Sequence, residues 1–317
     1  MLILAFDFSV LTKFNSMAES YDFKIVKSGK EIEVYQYKDK EILRGYKRKE
    51  RNNKKVKPFK GQLNFNEYKK ELKRLEEWEK EYKAKTVFSI SRTRTNIRRL
   101  ANANPHLNKF LTLTFAESTT ELTKANNLYN QAMKRIIRKR KDFEYIAVVE
   151  FQKDIDYHGN KKEKGGSVHY HLLCNIKMPK TENLKELFDW EKWFALRYWK
   201  YGFIKIKDVR QVSNMGAYFC KYLGKDMFDK RMFGKKKFFC SQKLKKPVEM
   251  TGYKATIFYD QHISGLTPIF AKTFFSEYAG TIDYSAFTLP EDIPVILNID
   301  NQKNDQRKTY FGISEII

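Results

Sequence analysis

The sequence predicts an α+β fold whose central part is an antiparallel sheet of the split β-α-β type. Between residues 107 and 228, strand-like and helix-like patterns follow one another in the order β-α-β-β-α-β-α. Only a loop separates the two middle strands, which predicts a hairpin, and helical patterns connect them to the outer strands. Two hairpin strands between crossover helices give the topology of the ferredoxin and RNA-recognition (RRM) folds.

The first strand and the first helix of this region have clear signals. Residues 110–115 read Phe-Leu-Thr-Leu-Thr-Phe, a composition typical of a strand. Residues 118–121, Ser-Thr-Thr-Glu, offer capping side chains to the apolar helical pattern that follows, which includes Leu122, Ala132 and Ile136.

The remaining central elements follow in order. Residues 143–151 form a second strand that is apolar on both faces, and a loop over 153–166 leads into a third strand over 167–177. A helix opens near Pro179, and residues 203–207 form the fourth strand.

Outside the central region the signals are weaker. Residues 22–43 show strand-like alternation, and residues 66–84 carry charged side chains at helical spacing. Beyond residue 246 the pattern is too weakly periodic to predict a fold.

The charge balance predicts a partner rich in phosphate groups. The 317 residues include 62 Lys and Arg against 38 Asp and Glu, a formal net charge of +24. Such an excess favours nucleic acid, with solubility or a membrane surface as alternatives. Apolar residues make up 42% of the chain, which indicates a folded protein.

The cysteines and the chain start bear on the compartment. Cys174, Cys220 and Cys240 are far apart and lack metal-type spacing, so we expect free thiols in a reducing environment. No apolar run approaches ~18 residues, and the opening residues lack the features of a signal peptide. We therefore expect a cytoplasmic protein with no membrane partner, starting at Met1 or at Met17.

Two histidines in the third strand form a candidate metal site. His169 and His171 are two residues apart, so on a strand their imidazoles share one face while Tyr170 points to the other. Glu150 lies in the preceding apolar strand, where a buried carboxylate needs a basic side chain or a metal as its partner. We favour a divalent metal held by two imidazoles and one carboxylate.

Two tyrosines form a candidate nucleophile pair. Residues 213–214, Ser-Asn, cap a predicted helix on which Tyr218 and Tyr222 lie one turn apart on the same face. Lys221 and Lys225 each follow a tyrosine by three residues. Because an unperturbed phenol has a pKa near ~10, nucleophilic attack requires a metal, a base or a cation nearby. Ordinary packing of two aromatic side chains is the alternative.

In this order, the motifs resemble those of the HUH endonuclease superfamily, in particular the rolling-circle replication initiators of phages and plasmids that have two tyrosines. Three segments carry the resemblance, and a fourth is also similar: residues 110–115, 169–171, 218–225 and 241–247. Tyr170 stands where the family has an aliphatic residue, and its bulky ring still suits a buried face.

The resemblance implies an HUH endonuclease core over roughly residues 90–250. It implies that His169, His171 and Glu150 bind Mg²⁺ or Mn²⁺, with Asp154 and Asp156 as alternatives to Glu150.

The resemblance also implies a reaction. Tyr218 and Tyr222 act as nucleophiles on single-stranded origin DNA, assisted by Lys221 and Lys225. Attack leaves a 5′-phosphotyrosine and a free 3′-OH that primes synthesis, and the retained bond energy permits rejoining.

The same interpretation divides the chain into three parts. Residues 1–90 form a basic accessory or DNA-binding region, residues 91–250 the catalytic domain, and residues 251–317 an extension of unknown role. The phosphate-binding Gly-x-x-x-x-Gly-Lys-Ser/Thr pattern is absent, so we expect a host helicase and a host polymerase as partners. An HUH relaxase or transposase acting on other mobile DNA, and a non-enzymatic nucleic-acid-binding protein, are the alternatives.

Basic segments provide candidate DNA contacts, although a solvated face explains each one equally well: residues 44–60, 92–99, 134–141 and 235–246. Four aromatic residues interleave with these cations and predict stacking on unpaired bases: Tyr46, Phe59, Phe238 and Phe239.

Overall fold

The computed structural model describes residues 19–44, 65–153, 166–221, 229–232 and 235–295. Over these residues the protein is of the α+β class and contains two five-stranded antiparallel sheets. Within the same residues, no helix combines the length and the apolar character needed to cross a membrane.

The elements fall into three groups along the chain. The N-terminal part contains β1 (Glu19–Tyr21), β2 (Phe23–Ser28), β3 (Glu31–Tyr37), β4 (Ile42–Arg44) and the long helix α1 (Phe65–Asn102). The central part contains β5 (Lys109–Phe115), α2 (Leu122–Lys139), β6 (Tyr145–Phe151), β7 (Val168–Cys174), α3 (Leu184–Phe194), β8 (Gly202–Asp208) and α4 (Met215–Cys220). The C-terminal part contains β9 (Phe238–Cys240), β10 (Val248–Thr251), α5 (Tyr253–His262), β11 (Phe270–Ser276) and β12 (Gly280–Thr288).

The seven central elements follow the predicted order, and four of their strands form the middle of one sheet. The strand order is β8-β5-β7-β6-β9, so β7 lies between β5 and β6, the two strands that α2 joins. Apolar side chains of α2 and α3 cover one face of this sheet. Tyr129, Phe194 and Trp199 are the largest of the buried side chains there.

The opposite face of the central sheet is covered in part by α1 and α4. Ile97 and Ala101 of α1 and Phe219 of α4 pack against Phe110 and Leu173 of the sheet. These two helices therefore lie on the face that the histidines share.

The second sheet joins distant parts of the chain. Its strand order is β10-β2-β3-β12-β11, and α5 packs against one face. The segment beyond residue 246, for which the sequence predicts no fold, thus completes a sheet that begins before residue 40. Because α1 runs past residue 90 and β10 past residue 250, the division into 1–90, 91–250 and 251–317 stays a prediction about roles.

A buried carboxylate attaches the second sheet to α1. Glu33 of β3 forms ion pairs with both Arg98 and Arg99, and the hydroxyl of Tyr284 donates to Glu33 Oε1 at 3.0 Å. A buried carboxylate requires such partners. The interpretation of residues 92–99 as a DNA contact is therefore wrong for these two arginines, because their guanidinium groups bind the protein itself.

The predicted side-chain cap of α2 is wrong. Glu121 occupies the N-cap without a side-chain cap bond, and the Thr119 hydroxyl donates instead to the Glu117 carbonyl oxygen at 3.2 Å. Most of the basic arm, residues 45–60 with Tyr46 and Phe59, lies outside the described residues, so its proposed contact with DNA stays a prediction.

Candidate active site

The register of β5, β6 and β7 brings the predicted metal ligands onto one sheet face. His169 lies directly opposite Glu150 on β6 and Thr114 on β5, and His171 lies opposite Thr112. Directly opposed residues of antiparallel strands share a face. His169, His171 and Glu150 are thus neighbours on one surface, as the sequence predicts.

Tyr170 points to the other face, which confirms the predicted alternation. Its side chain is fully buried, its ring stacks on Tyr129 with centroids 4.3 Å apart, and its hydroxyl donates to Asn126 Oδ1 at 2.8 Å. These contacts fix β7 and hence the direction of the two imidazoles.

His171 is held from three sides. Its Nε2 forms a hydrogen bond with Oε2 of Glu150, and its Nδ1 lies 3.1 Å from the hydroxyl oxygen of Thr112. Its ring also stacks on Phe110, with centroids 5.4 Å apart and an interplanar angle of 24°. An imidazole fixed in this way has one defined orientation.

Glu150 is less buried than the sequence predicts, since 36% of its side chain is exposed. It lies at the part of the sheet face where Phe203 is also exposed. The hydrogen bond with His171 is the main cause that holds the pKa of Glu150 below its usual range, and the charges of the two histidines add to it. The carboxylate is therefore ionised and faces a partly open surface.

His169 has an unsatisfied ring nitrogen. Its Nε2 is inaccessible to solvent and has no hydrogen-bond partner among the described residues. Burial lowers the pKa of His169, and the nearby His171 acts in the same direction, while Glu150 opposes them. A neutral imidazole with a free nitrogen lone pair is the form that binds metals.

The chemistry of the donor set fits a divalent cation, because the orphaned nitrogen of His169 is an available ligand atom beside a carboxylate and a second imidazole. Within the described part of the chain, however, no three His, Cys, Asp or Glu side chains form a group arranged to hold an ion. Glu150 bonds directly to His171 instead. Asp154 and Asp156 lie outside the described residues. Metal binding therefore stays a prediction.

Tyr218 lies on α4, which packs closely on α1. The predicted cap is confirmed, since Oδ1 of Asn214 accepts a hydrogen bond from the Ala217 nitrogen at 2.8 Å. The Gly216 nitrogen donates to Oδ1 of Asn102 at 2.7 Å. This contact draws the start of α4 against the end of α1.

The tyrosine and the histidines meet at Phe110. The Tyr218 ring lies edge-on to Phe110 at 5.8 Å between centroids, and Phe110 in turn stacks on His171. Nζ of Lys221 lies 5.8 Å from the centroid of the Tyr218 ring, so this lysine accompanies its tyrosine as the spacing predicts. Tyr222 and Lys225 lie outside the described residues, and their roles stay predictions.

Sequence reasoning missed the roles of Phe110 and Thr112. The signal was present, because alternation along β5 places Phe110, Thr112 and Thr114 on the face that pairs with the histidines. Asn102 gives no comparable local signal, since its partner Gly216 is far away in the sequence.

The prediction of base stacking is wrong for Phe239. Its ring packs 5.2 Å from that of Tyr129, against the core between the sheet and α2. Phe238 is half-buried against the other face. Their apolar neighbours in β9 and the sheet use the ring surfaces that bases would need.

Residues 108–227 match the family model of replication-associated protein ORF2. The match begins just before β5 and includes every predicted site residue from Glu150 to Lys225. It covers less than half of the chain, and it supports a replication initiator role with DNA as the partner. No curated protein and no solved structure matches the chain.

Proposed function

We propose that this protein initiates rolling-circle replication by nicking and rejoining single-stranded DNA at an origin. One observation carries the proposal: Tyr218 and His171 contact the same ring, Phe110. A candidate nucleophile thus lies beside the face that carries the two histidines and Glu150. The family match over residues 108–227 supports the replication role.

The tyrosine acts on a phosphodiester of the strand. The phenolic oxygen of Tyr218 attacks phosphorus and forms a new P–O bond, while the bond from phosphorus to the 3′-oxygen breaks. The products are a 5′-phosphotyrosine and a 3′-hydroxyl, and the reverse reaction rejoins the strand without ATP. The ammonium group of Lys221, next to the Tyr218 ring, stabilises negative charge on the phenolic oxygen or on the phosphate.

His169, His171 and Glu150 would hold Mg²⁺ or Mn²⁺, which supplies charge stabilisation at the non-bridging phosphate oxygens. The chain's own contribution is orientation. Thr112 and Phe110 fix the His171 ring, and Glu150 is ionised at neutral pH.

Tyr222 and Lys225 form the second half of the proposed nucleophile pair. A second tyrosine allows another cleavage while the first is still joined to DNA. The strand order around β7 supports an HUH-type core with the split β-α-β topology. Strand separation and synthesis are assigned to a host helicase and a host polymerase.

Two alternatives predict different behaviour. An HUH relaxase or transposase performs the same chemistry on other mobile DNA. A non-enzymatic binder would need several accessible aromatic rings on the histidine face. Phe203 is exposed there, but Phe110 is buried beneath α1 and α4.

The test is incubation with labelled single-stranded oligonucleotides, including the origin strand of the replicon, followed by a denaturing gel. We expect a covalent adduct that requires Mn²⁺, disappears with a chelator and is lost in the Tyr218→Phe, Tyr222→Phe double variant. The single variants rank the nucleophiles, and Tyr278→Phe, at a remote exposed position, is the control. An adduct that survives in the double variant would overturn the assignment of the nucleophiles. Absence of any adduct with wild-type protein would favour the binding protein.

A further inference from the structure

The second sheet has a face rich in aromatic and basic side chains, opposite the face that α5 covers. One row of directly opposed residues crosses four strands, from Lys272 through Tyr284 and Tyr35 to Lys24. Tyr37, Phe270 and Phe274 lie on the same face by strand alternation. We call these seven residues the aromatic face.

The rings of the aromatic face are in contact with one another. Tyr35 and Tyr284 have centroids 5.1 Å apart, and Tyr284 and Phe270 have centroids 6.0 Å apart. Nζ of Lys24 lies 4.8 Å from the centroid of Tyr35. The result is a continuous aromatic surface with a lysine at each end of its central row.

Packing within the sheet does not account for these rings. The apolar core of the second sheet, with Ile25 and Phe258, lies on the face toward α5. Phe270 is 52% exposed and Phe274 is 39% exposed. Contiguous exposed aromatic surface of this kind marks a binding site more often than a structural element.

The aromatic face adjoins the helix of Tyr218. A cleft of about 230 Å³ lies between the second sheet and the helices. Phe270 and Tyr284 line one wall, and Asn102 and Asn214 line the other. Asn214 is the N-cap of α4, so a strand that leaves the aromatic face through this cleft reaches the tyrosine helix directly.

We infer that the aromatic face binds unpaired bases of the DNA strand that the tyrosine cleaves, a few nucleotides from the cleavage position. The inference rests on the proposed function, and it adds a second DNA site that none of the sequence motifs indicates. Bases stack on the aromatic rings, and phosphates interact with Lys24 and Lys272, the combination that single-strand-binding sheets use.

The charges around the face favour DNA as the occupant. Glu33, the acidic residue in the adjacent row, is paired with Arg98 and Arg99. Glu249 is the other acid facing this side, and it lies on β10, the edge strand farthest from the aromatic rings of β11 and β12. The chain as a whole carries a net charge of +24.

The test compares DNA of two lengths. Fluorescence anisotropy measures binding of oligothymidylates of about 6 and about 16 nucleotides, lengths that bracket one and two adjoining sites. The Tyr218→Phe, Tyr222→Phe background prevents covalent capture. The test variants are the Phe270→Ala, Phe274→Ala pair and Lys272→Glu. Matched controls are Phe275→Ala, on the opposite side of β11 and 74% exposed, and Lys254→Glu on α5.

We expect each test variant to bind the longer oligonucleotide roughly tenfold more weakly, because a stacked base or a phosphate contact is lost. Affinity for the shorter one should not change, and the controls should match the parent. Unchanged affinity for the longer DNA, equal loss in the controls, or equal loss with duplex DNA would each overturn the inference. So would a change in oligomeric state by size exclusion, since the face would then bind a second copy.

Failure of this inference can be told apart from failure of the proposed function. With both tyrosines present, the Phe270→Ala, Phe274→Ala pair should still form the covalent adduct on a saturating short origin oligonucleotide. If wild-type protein forms no adduct but the length-dependent loss is seen, the proposed nickase is wrong and the DNA site stands. Circular dichroism melting of each variant excludes unfolding as the cause.

Discussion

The backbone nitrogen of Gly216 donates a hydrogen bond to the side-chain oxygen of Asn102, at 2.7 Å, where α4 rests on α1. A β carbon at position 216 would lie 2.3 Å from the carbonyl oxygen of Arg98 and 2.7 Å from Oδ1 of Asn102. Both distances are too short for packed atoms, and the first involves backbone that cannot swing aside. The absence of a side chain at Gly216 therefore allows Tyr218 to lie beside Phe110.

Gly216→Ala should move α4 away from α1 and displace Tyr218. Because a misplacement of about 1 Å can reduce a rate about 100-fold, we expect adduct formation to fall by roughly that factor. Overpacking should also lower the free energy of unfolding by about 1–3 kcal/mol. Gel-based adduct kinetics and urea denaturation measure the two effects. Ala217→Ser, at the exposed neighbouring position, should behave like wild type. A wild-type rate in Gly216→Ala would contradict this account of the helix contact.

Thr112→Val should weaken metal binding. The variant keeps the shape of the side chain but removes the hydroxyl that lies 3.1 Å from Nδ1 of His171. Loss of a group that orients a ligating histidine costs roughly 10–100-fold in metal affinity. Isothermal titration with Mn²⁺ measures this directly, and Thr112→Ser, which restores the hydroxyl, should recover most of the affinity. Equal affinity in all three proteins would show that the Thr112 hydroxyl does not orient His171 for metal binding.

Local patterns were sufficient to predict the central sheet and the face of each site residue. Alternation along β7 separates His169 and His171 from Tyr170, and Asn214 caps α4 as its residue type indicates. The sequence also predicts that Glu150 needs a partner. It does not identify that partner as His171, because the choice depends on the pairing register of β6 and β7.

The second sheet could not be predicted because its pairings join distant parts of the chain. Val248 of β10 pairs with Lys27 of β2, and Glu33 finds Arg98 and Arg99 on a helix that follows a long intervening segment. Neither strand pattern contains information about a partner so far away. The aromatic face becomes visible only when β3, β11 and β12 are placed side by side.

Glu33→Gln should destabilise the protein. The variant removes the charge that Arg98 and Arg99 share at a buried position, and their guanidinium groups then lack a counterion. Breaking a buried ion pair on one side typically costs about 3–5 kcal/mol. Urea denaturation followed by circular dichroism should show a loss in that range. Glu41→Gln, at an exposed position, serves as the control and should change the free energy of unfolding by less than about 0.5 kcal/mol. Similar stabilities of the two variants would argue against the docking role of Glu33.

Cys174 should resist alkylation in the folded protein. Burial raises the pKa of its thiol to about 12, while the thiol of Cys240, which is only half-buried, has a pKa raised by the same cause. Only the thiolate reacts, so a raised pKa leaves Cys174 protonated and unreactive from neutral pH to well above pH 8. Iodoacetamide at pH 8 followed by peptide mass spectrometry should label Cys240 first and Cys174 only after addition of denaturant. Because Cys174 lies at the end of the histidine strand and packs in the core beneath it, its protection also reports whether β7 is intact in each site variant. Labelling of Cys174 at the rate of Cys240 in native protein would show that β7 opens far more readily than its burial indicates.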